Sequence, residues 1–189
     1  MTSIGAHFNG FQWGMKTKYP PLVAQRRVSE SMINWAGVCE IANTLRGVAC
    51  RLGSINFGGV NIIRQLTFDD NVQCIVRIPM PRYSINDDGG FTIHVSKTDY
   101  WTQERAEGLK SEVSTMIYIR EHSDIPVPEV LNFNATLDNP AAAPYIFMEC
   151  VRGNSIMDLS REVPEQQMDK LHAAVAKFQV ILFDHYEPV

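Results

Sequence analysis

The chain has 189 residues, 45% of them hydrophobic, which suits one ordinary domain with its own core and excludes a disordered segment. Seventeen Lys and Arg stand against twenty-one Asp and Glu, a formal charge of −4, and with no basic block neither nucleic acid nor an anionic membrane surface is expected as a partner. The four cysteines, Cys39, Cys50, Cys74 and Cys150, include no C-x-x-C pair and have no His at ligand spacing, so no zinc site and no disulfide framework is expected. Reduced thiols of this kind fit a cytoplasmic chain.

Residues 1–28 read as an irregular N-terminal segment, closed by Tyr19-Pro20-Pro21. No apolar run there has signal-peptide or membrane-spanning length, and a mitochondrial presequence would want Arg where none occurs before Arg26. From Ser29 to about Val48 the apolar residues Met32, Ile33, Ala36, Ile41 and Leu45 have helical spacing. The period then changes. Arg51 to Leu66, interrupted by Phe57-Gly58-Gly59-Val60-Asn61, and Val72 to Ile78 read as strands, with Phe68-Asp69-Asp70-Asn71 as the hairpin turn before the last of them.

Pro79 and Pro81 stop that strand, and Arg82 to Tyr100 reads as a polar loop around Asn86-Asp87-Asp88-Gly89-Gly90. Ala106, Leu109, Val113, Met116 and Ile117 predict an amphipathic helix over Gln103 to Arg120, ended by Ile125-Pro126-Val127-Pro128. Val127 to Phe133 and Ala143 to Val151 read as two more strands, separated by Asp138-Asn139-Pro140. A last helix is predicted from Pro164 to Tyr186, with Leu171, Ala174, Val175, Phe178, Ile181 and Leu182 on one face. No internal repeat is visible.

Several residue types in this series suit phosphate chemistry. A turn of small residues between two strands can lay backbone N–H groups against phosphate oxygens, a cation on the next strand can touch them, and a helix carboxylate can hold that cation. Gly58, Gly59 and Asn61 form such a turn, with positive φ in a hairpin as the alternative reason for the glycines. Arg77 is the candidate cation or else a surface-strand arginine, and Glu112 is its candidate partner or else part of a solvated helix face. Glu149, Cys150 and Val151 either hold a nucleotide base through the backbone or end a strand of the core.

Phe57-Gly58-Gly59-Val60-Asn61, Cys74-Ile75-Val76-Arg77-Ile78-Pro79, Ser111-Glu112-Val113, Ile125-Pro126-Val127-Pro128 and Tyr145 to Gly153 occur in the order of a kinase-like small lobe. Over roughly Ser31 to Leu159 the chain resembles the aminoglycoside phosphotransferase and choline-kinase-like family, particularly its branch in filamentous fungi. The resemblance implies an α+β fold with a mainly antiparallel sheet and packed helices: a kinase-like lobe over 29–152, then a linker and helix over 153–189 leading to a catalytic lobe that is absent. It implies a nucleotide site for ATP or GTP, with Mg²⁺ in complete relatives, at Gly58, Gly59, Asn61, Arg77, Glu112, Glu149, Cys150 and Val151, and with Ser155 or Asp158 near the ribose or substrate. Arg77 stands where such folds usually carry a lysine, as it does in many members of the fungal branch.

The family's catalytic loop, His-Gly-Asp with an Asn five residues after the Asp, has no counterpart. His122-Ser123-Asp124 is followed at that distance by Glu129, and Val180-Ile181-Leu182-Phe183-Asp184 belongs to the helical pattern. No catalytic or metal-binding residue is therefore assigned, and the chain alone is expected not to turn over. The expected role is the nucleotide-binding lobe of an ATP-dependent small-molecule phosphotransferase. The alternative is a non-catalytic interaction or regulatory module that self-associates or meets a companion chain through helix 164–186. A fragment or a splice product would also look like this.

Overall fold

The structure is a computed structural model that describes residues 18–152 and 164–184. It is α+β, built on a five-stranded antiparallel sheet with helices against both faces. The elements are α1 (Pro20–Met32), α2 (Trp35–Arg46), β1 (Cys50–Phe57), β2 (Asn61–Phe68), β3 (Gln73–Pro79), β4 (Tyr83–Ile85), β5 (Phe91–Ile93), α3 (Lys97–Tyr100), α4 (Gln103–His122), β6 (Val130–Asn134), β7 (Tyr145–Glu149) and α5 (Glu165–Asp184).

Two helices stand where the periodicity predicts one beginning at Ser29. Pro20 and Pro21 open α1 instead of closing an irregular segment, because the first turn of a helix needs neither of their missing N–H groups. Ile33 then turns extended, and the Asn34 side chain accepts from Gly37 N at 3.2 Å as the N-cap of α2. Gly47, at φ 66°, ends α2 in the left-handed conformation with its N–H on Asn43 O.

The main sheet runs in the order β1-β2-β3-β7-β6, with every pair antiparallel. At the β2–β3 turn Asn71 adopts φ 64°, a conformation that Asn tolerates, and Arg46 ties Asp70 to α2 at 2.6 Å. Alternation along β3 sends Cys74, Val76 and Ile78 to a core shared with Val38 and Ala42 of α2, while Ile75 faces Leu109 and Val113 of α4. β7 is inserted between β3 and β6, so Ile146 and Met148 join the α4 side and Phe147 the α2 side.

The polar loop expected over 82–100 is a second, two-stranded sheet: β4 and β5 pair around the turn at Asn86 to Gly90, with Gly89 at φ 79°. Three residues per strand, two of them exposed, are too few for alternation to announce itself, which is why only the turn was legible. β6 and β7 are shorter than expected, beginning at Val130 and Tyr145. Helix α5 forms as predicted, and none of its described side chains is buried.

Candidate functional site

Arg77 sits on β3 opposite Ile63 of β2 and Ile146 of β7, on the sheet face that α4 covers. Its side chain is 19% exposed, and Nη2 meets Glu112 Oε1 of α4 at 2.6 Å. The pair follows from two periodicities. Arg77 alternates with inward Val76 and Ile78 along the strand, and Glu112 lies one turn beyond Gly108 and beside Leu109 and Val113, which seat α4 on the sheet. A guanidinium held at one edge by a carboxylate keeps its remaining N–H groups for another anion.

The pair lies on the wall of a cleft of about 290 Å³, shared with Val60 just before β2, Asn61 at its start, Arg82 after β3, Trp101 before α4 and Arg105 in its first turn. Three guanidinium groups face one carboxylate there, Arg77, Arg82 and Arg105 against Glu112. Burial lowers the Arg105 pKa from its ordinary value, and the neighbouring charge of Arg82 lowers it further. Arg105 is nevertheless well held: its terminal nitrogens donate to Tyr100 O and, at 2.9 Å, to Met80 O, and its plane lies over the Trp101 ring.

Of the sequence-derived candidates, Asn61, Arg77 and Glu112 come together in this cleft. Gly58 and Gly59 form the adjoining turn, where Gly58 N donates to Asn61 O at 2.8 Å. Neither has positive φ, so the hairpin-strain reason for glycine does not apply. A Cβ on Gly59 would meet nothing within 4 Å, which leaves its backbone open to a ligand. Glu149, Cys150 and Val151 lie apart, at the end of β7 where it passes Cys74 rather than Arg77.

The Glu149 carboxylate is occupied with Glu129 N at 3.2 Å and faces Arg120 at 3.6 Å, while Cys150 and Val151 follow the end of the ladder. Ser155 and Asp158 lie outside the described residues. His122-Ser123-Asp124 is a helix end: His122 stacks on Tyr118 at 4.2 Å, and Ser123 Oγ donates to Ile119 O. Among the described residues no group of three or more His, Cys, Asp or Glu could hold a metal ion. A protein-held Mg²⁺ therefore does not fit the side chains present around Arg77.

Sequence reasoning missed Gln25, Arg82, Trp101 and Arg105. The first lies in a stretch read as irregular and the second in one read as a loop, so no periodicity pointed at either. Arg105 precedes the apolar series of α4, where arginine is ordinarily a solvated surface residue.

No family model matches the chain, and no solved structure matches it. A subtelomeric hrmA-associated cluster protein of Aspergillus fumigatus, matched in two strains, is 28% identical over 131 residues, which are 69% of this chain and 22% of that protein. Altered inheritance of mitochondria protein 9, mitochondrial, of Yarrowia lipolytica is 26% identical over 165 residues, 79% of this chain and 25% of that protein. The chain thus spans about a quarter of the length of the curated relatives it matches.

Proposed function

We propose that the chain is the nucleotide-binding lobe of a kinase-like small-molecule phosphotransferase of the aminoglycoside phosphotransferase and choline-kinase-like type, acting in the cytoplasm. The Arg77–Glu112 pair at 2.6 Å carries the reading, because a strand cation oriented by a helix carboxylate beside a small-residue turn is how kinases place nucleotide phosphates. In this reading ATP or GTP phosphates lie against Gly58, Gly59 and Asn61, and Arg77 contacts them. The base meets the backbone after Glu149. No step of phosphoryl transfer is assigned to these residues, since they include neither a base for the acceptor hydroxyl nor a metal-holding carboxylate set. Calorimetry of ATP binding tests it: wild type binds, and Arg77→Ala weakens binding by at least about tenfold. Equal affinity in the two proteins removes the assignment.

A second reading, an interaction module derived from the same fold, is favoured by α5. Val175, Val180, Leu182 and Phe183 are 45, 60, 44 and 76% exposed on a 20-residue helix, and side chains of this kind are covered by a partner in a stable assembly. The occupant in this reading is a second copy of the chain, and its signature is concentration-dependent association without nucleotide binding.

A further inference from the structure

The segment that carries Arg82 is built with unusual care. Pro79 ends β3, and the run Pro79-Met80-Pro81 cannot continue a full ladder, because two of the three lack an N–H. Their three carbonyls are each taken by a side chain from a different part of the fold. Tyr100 Oη donates to Pro79 O at 2.8 Å, Arg105 Nη2 to Met80 O at 2.9 Å, and Gln25 Nε2, on α1, to Pro81 O at 2.8 Å. Met80 N completes the set on Val60 O at 2.8 Å, beside the glycine turn. Gln25, Met80 and Tyr100 are 4, 1 and 3% exposed.

These bonds fix where the chain leaves β3, and the next residue is Arg82, on the wall of the cleft that holds Arg77. Arg82 makes no ion pair among the described residues. Glu112 is the one carboxylate on that wall, and it is already committed to Arg77. Two cations besides the paired one thus border a cavity in a chain whose formal charge is −4. Charge of this sign, gathered without carboxylates that could hold a metal, matches an anion that arrives without a cation of its own.

We propose that Arg82 is a second phosphate-binding arm, so that Arg77 and Arg82 together hold the metal-free polyphosphate tail of the nucleotide, with Arg105 as a fixed charge behind them. The proposal deepens the nucleotide reading and rests on it for the base alone, because the arginines recognise phosphate whatever is attached to it. Arg82 is the contact arm because the terminal nitrogens of Arg105 are spent on backbone carbonyls. Gln25 and Tyr100 are positioning residues, acting through Pro81 and Pro79.

The test is calorimetry on the whole chain with tripolyphosphate, ATP and adenosine, each in EDTA and in excess Mg²⁺, using wild type and Arg82→Gln. Tripolyphosphate and ATP are expected to bind in EDTA and to weaken with Mg²⁺, which neutralises the charge that the arginines would pair. Arg82→Gln is expected to weaken both by about tenfold in EDTA, with an unchanged melting temperature because Arg82 is exposed. ATP binding that is indifferent to Arg82→Gln overturns the proposal and leaves the nucleotide reading standing. Binding that requires Mg²⁺ does the same. Tripolyphosphate bound as tightly as ATP and weakened by Arg82→Gln supports the arginine arm while removing the nucleotide reading, and no binding of either anion in EDTA overturns the arm.

Discussion

Arg77 and Glu112 differ in what they contribute to stability and to binding. With Glu112 48% exposed and Arg77 19% exposed, water screens one end of the pair, and such pairs add little net stability. Glu112→Gln is expected to cost less than about 1 kcal/mol in denaturant unfolding while weakening ATP binding several-fold, since its role in the proposed site is orientation. A large stability loss with unaltered binding would make the pair structural. Three other side chains govern the alkaline limit. Burial pushes the Cys74 thiol up to about 12, burial and then Cys39 push Cys50 up to about 12, and burial raises Tyr100. Each folded pKa lies above its unfolded value, so the unfolded chain loses these protons first and stability falls as pH rises. The melting temperature is expected to drop between pH 9 and about 12, the thiol window, and Cys74→Ala to shallow that drop.

At the scale of elements, glycines with similar sequence contexts carry opposite demands. A Cβ on Gly37 of α2 would lie 1.8 Å from Pro140 O, because the loop before β7 rests directly on that helix turn. Asn34 holds the same loop, donating Nδ2 to Pro140 O and its backbone N–H to Ala141 O, each at 2.9 Å. Gly37→Ala is expected to destabilise by about 2 kcal/mol or more, since backbone on both sides must move. Gly59→Ala meets open space and should change stability by less than about 1 kcal/mol. Its new methyl should nonetheless weaken ATP binding if phosphates approach that backbone. Thermal melts and calorimetry on the two variants separate packing from ligand access.

For the molecule as a whole, the two faces of the sheet have different coverings. One is closed by α2 over Val76, Ile78 and Phe147, and the other by α4 over Ile75, Ile146 and Met148. Among the described residues helix α5 contributes to neither core, so in the second reading its apolar side chains lose water only against a partner. Val175→Glu combined with Val180→Glu is expected to abolish any concentration-dependent association seen by sedimentation velocity and to leave the melting temperature of the sheet unchanged. A fall in that temperature would mean that α5 packs on the body of the chain.

Local pattern determined much of this protein in advance. Period-two alternation marked β3, turn chemistry marked the Asp69-Asp70 hairpin, and helical spacing marked α4 and α5, because each depends on residues close together in the chain. The sequence also nominated Arg77 and Glu112 as partners across 35 positions, through the resemblance to a kinase-like order rather than through any local signal. Tertiary structure alone decided that α1 and α2 are two helices, that 82–100 carries a hairpin, and that Arg82 and Arg105 share a cleft with Arg77. The physical reason is that those outcomes rest on hydrogen bonds and approaches between distant segments: Gln25 to Pro81, Asn34 to Pro140, Tyr100 to Pro79. No periodicity encodes such contacts, and only folding brings them together.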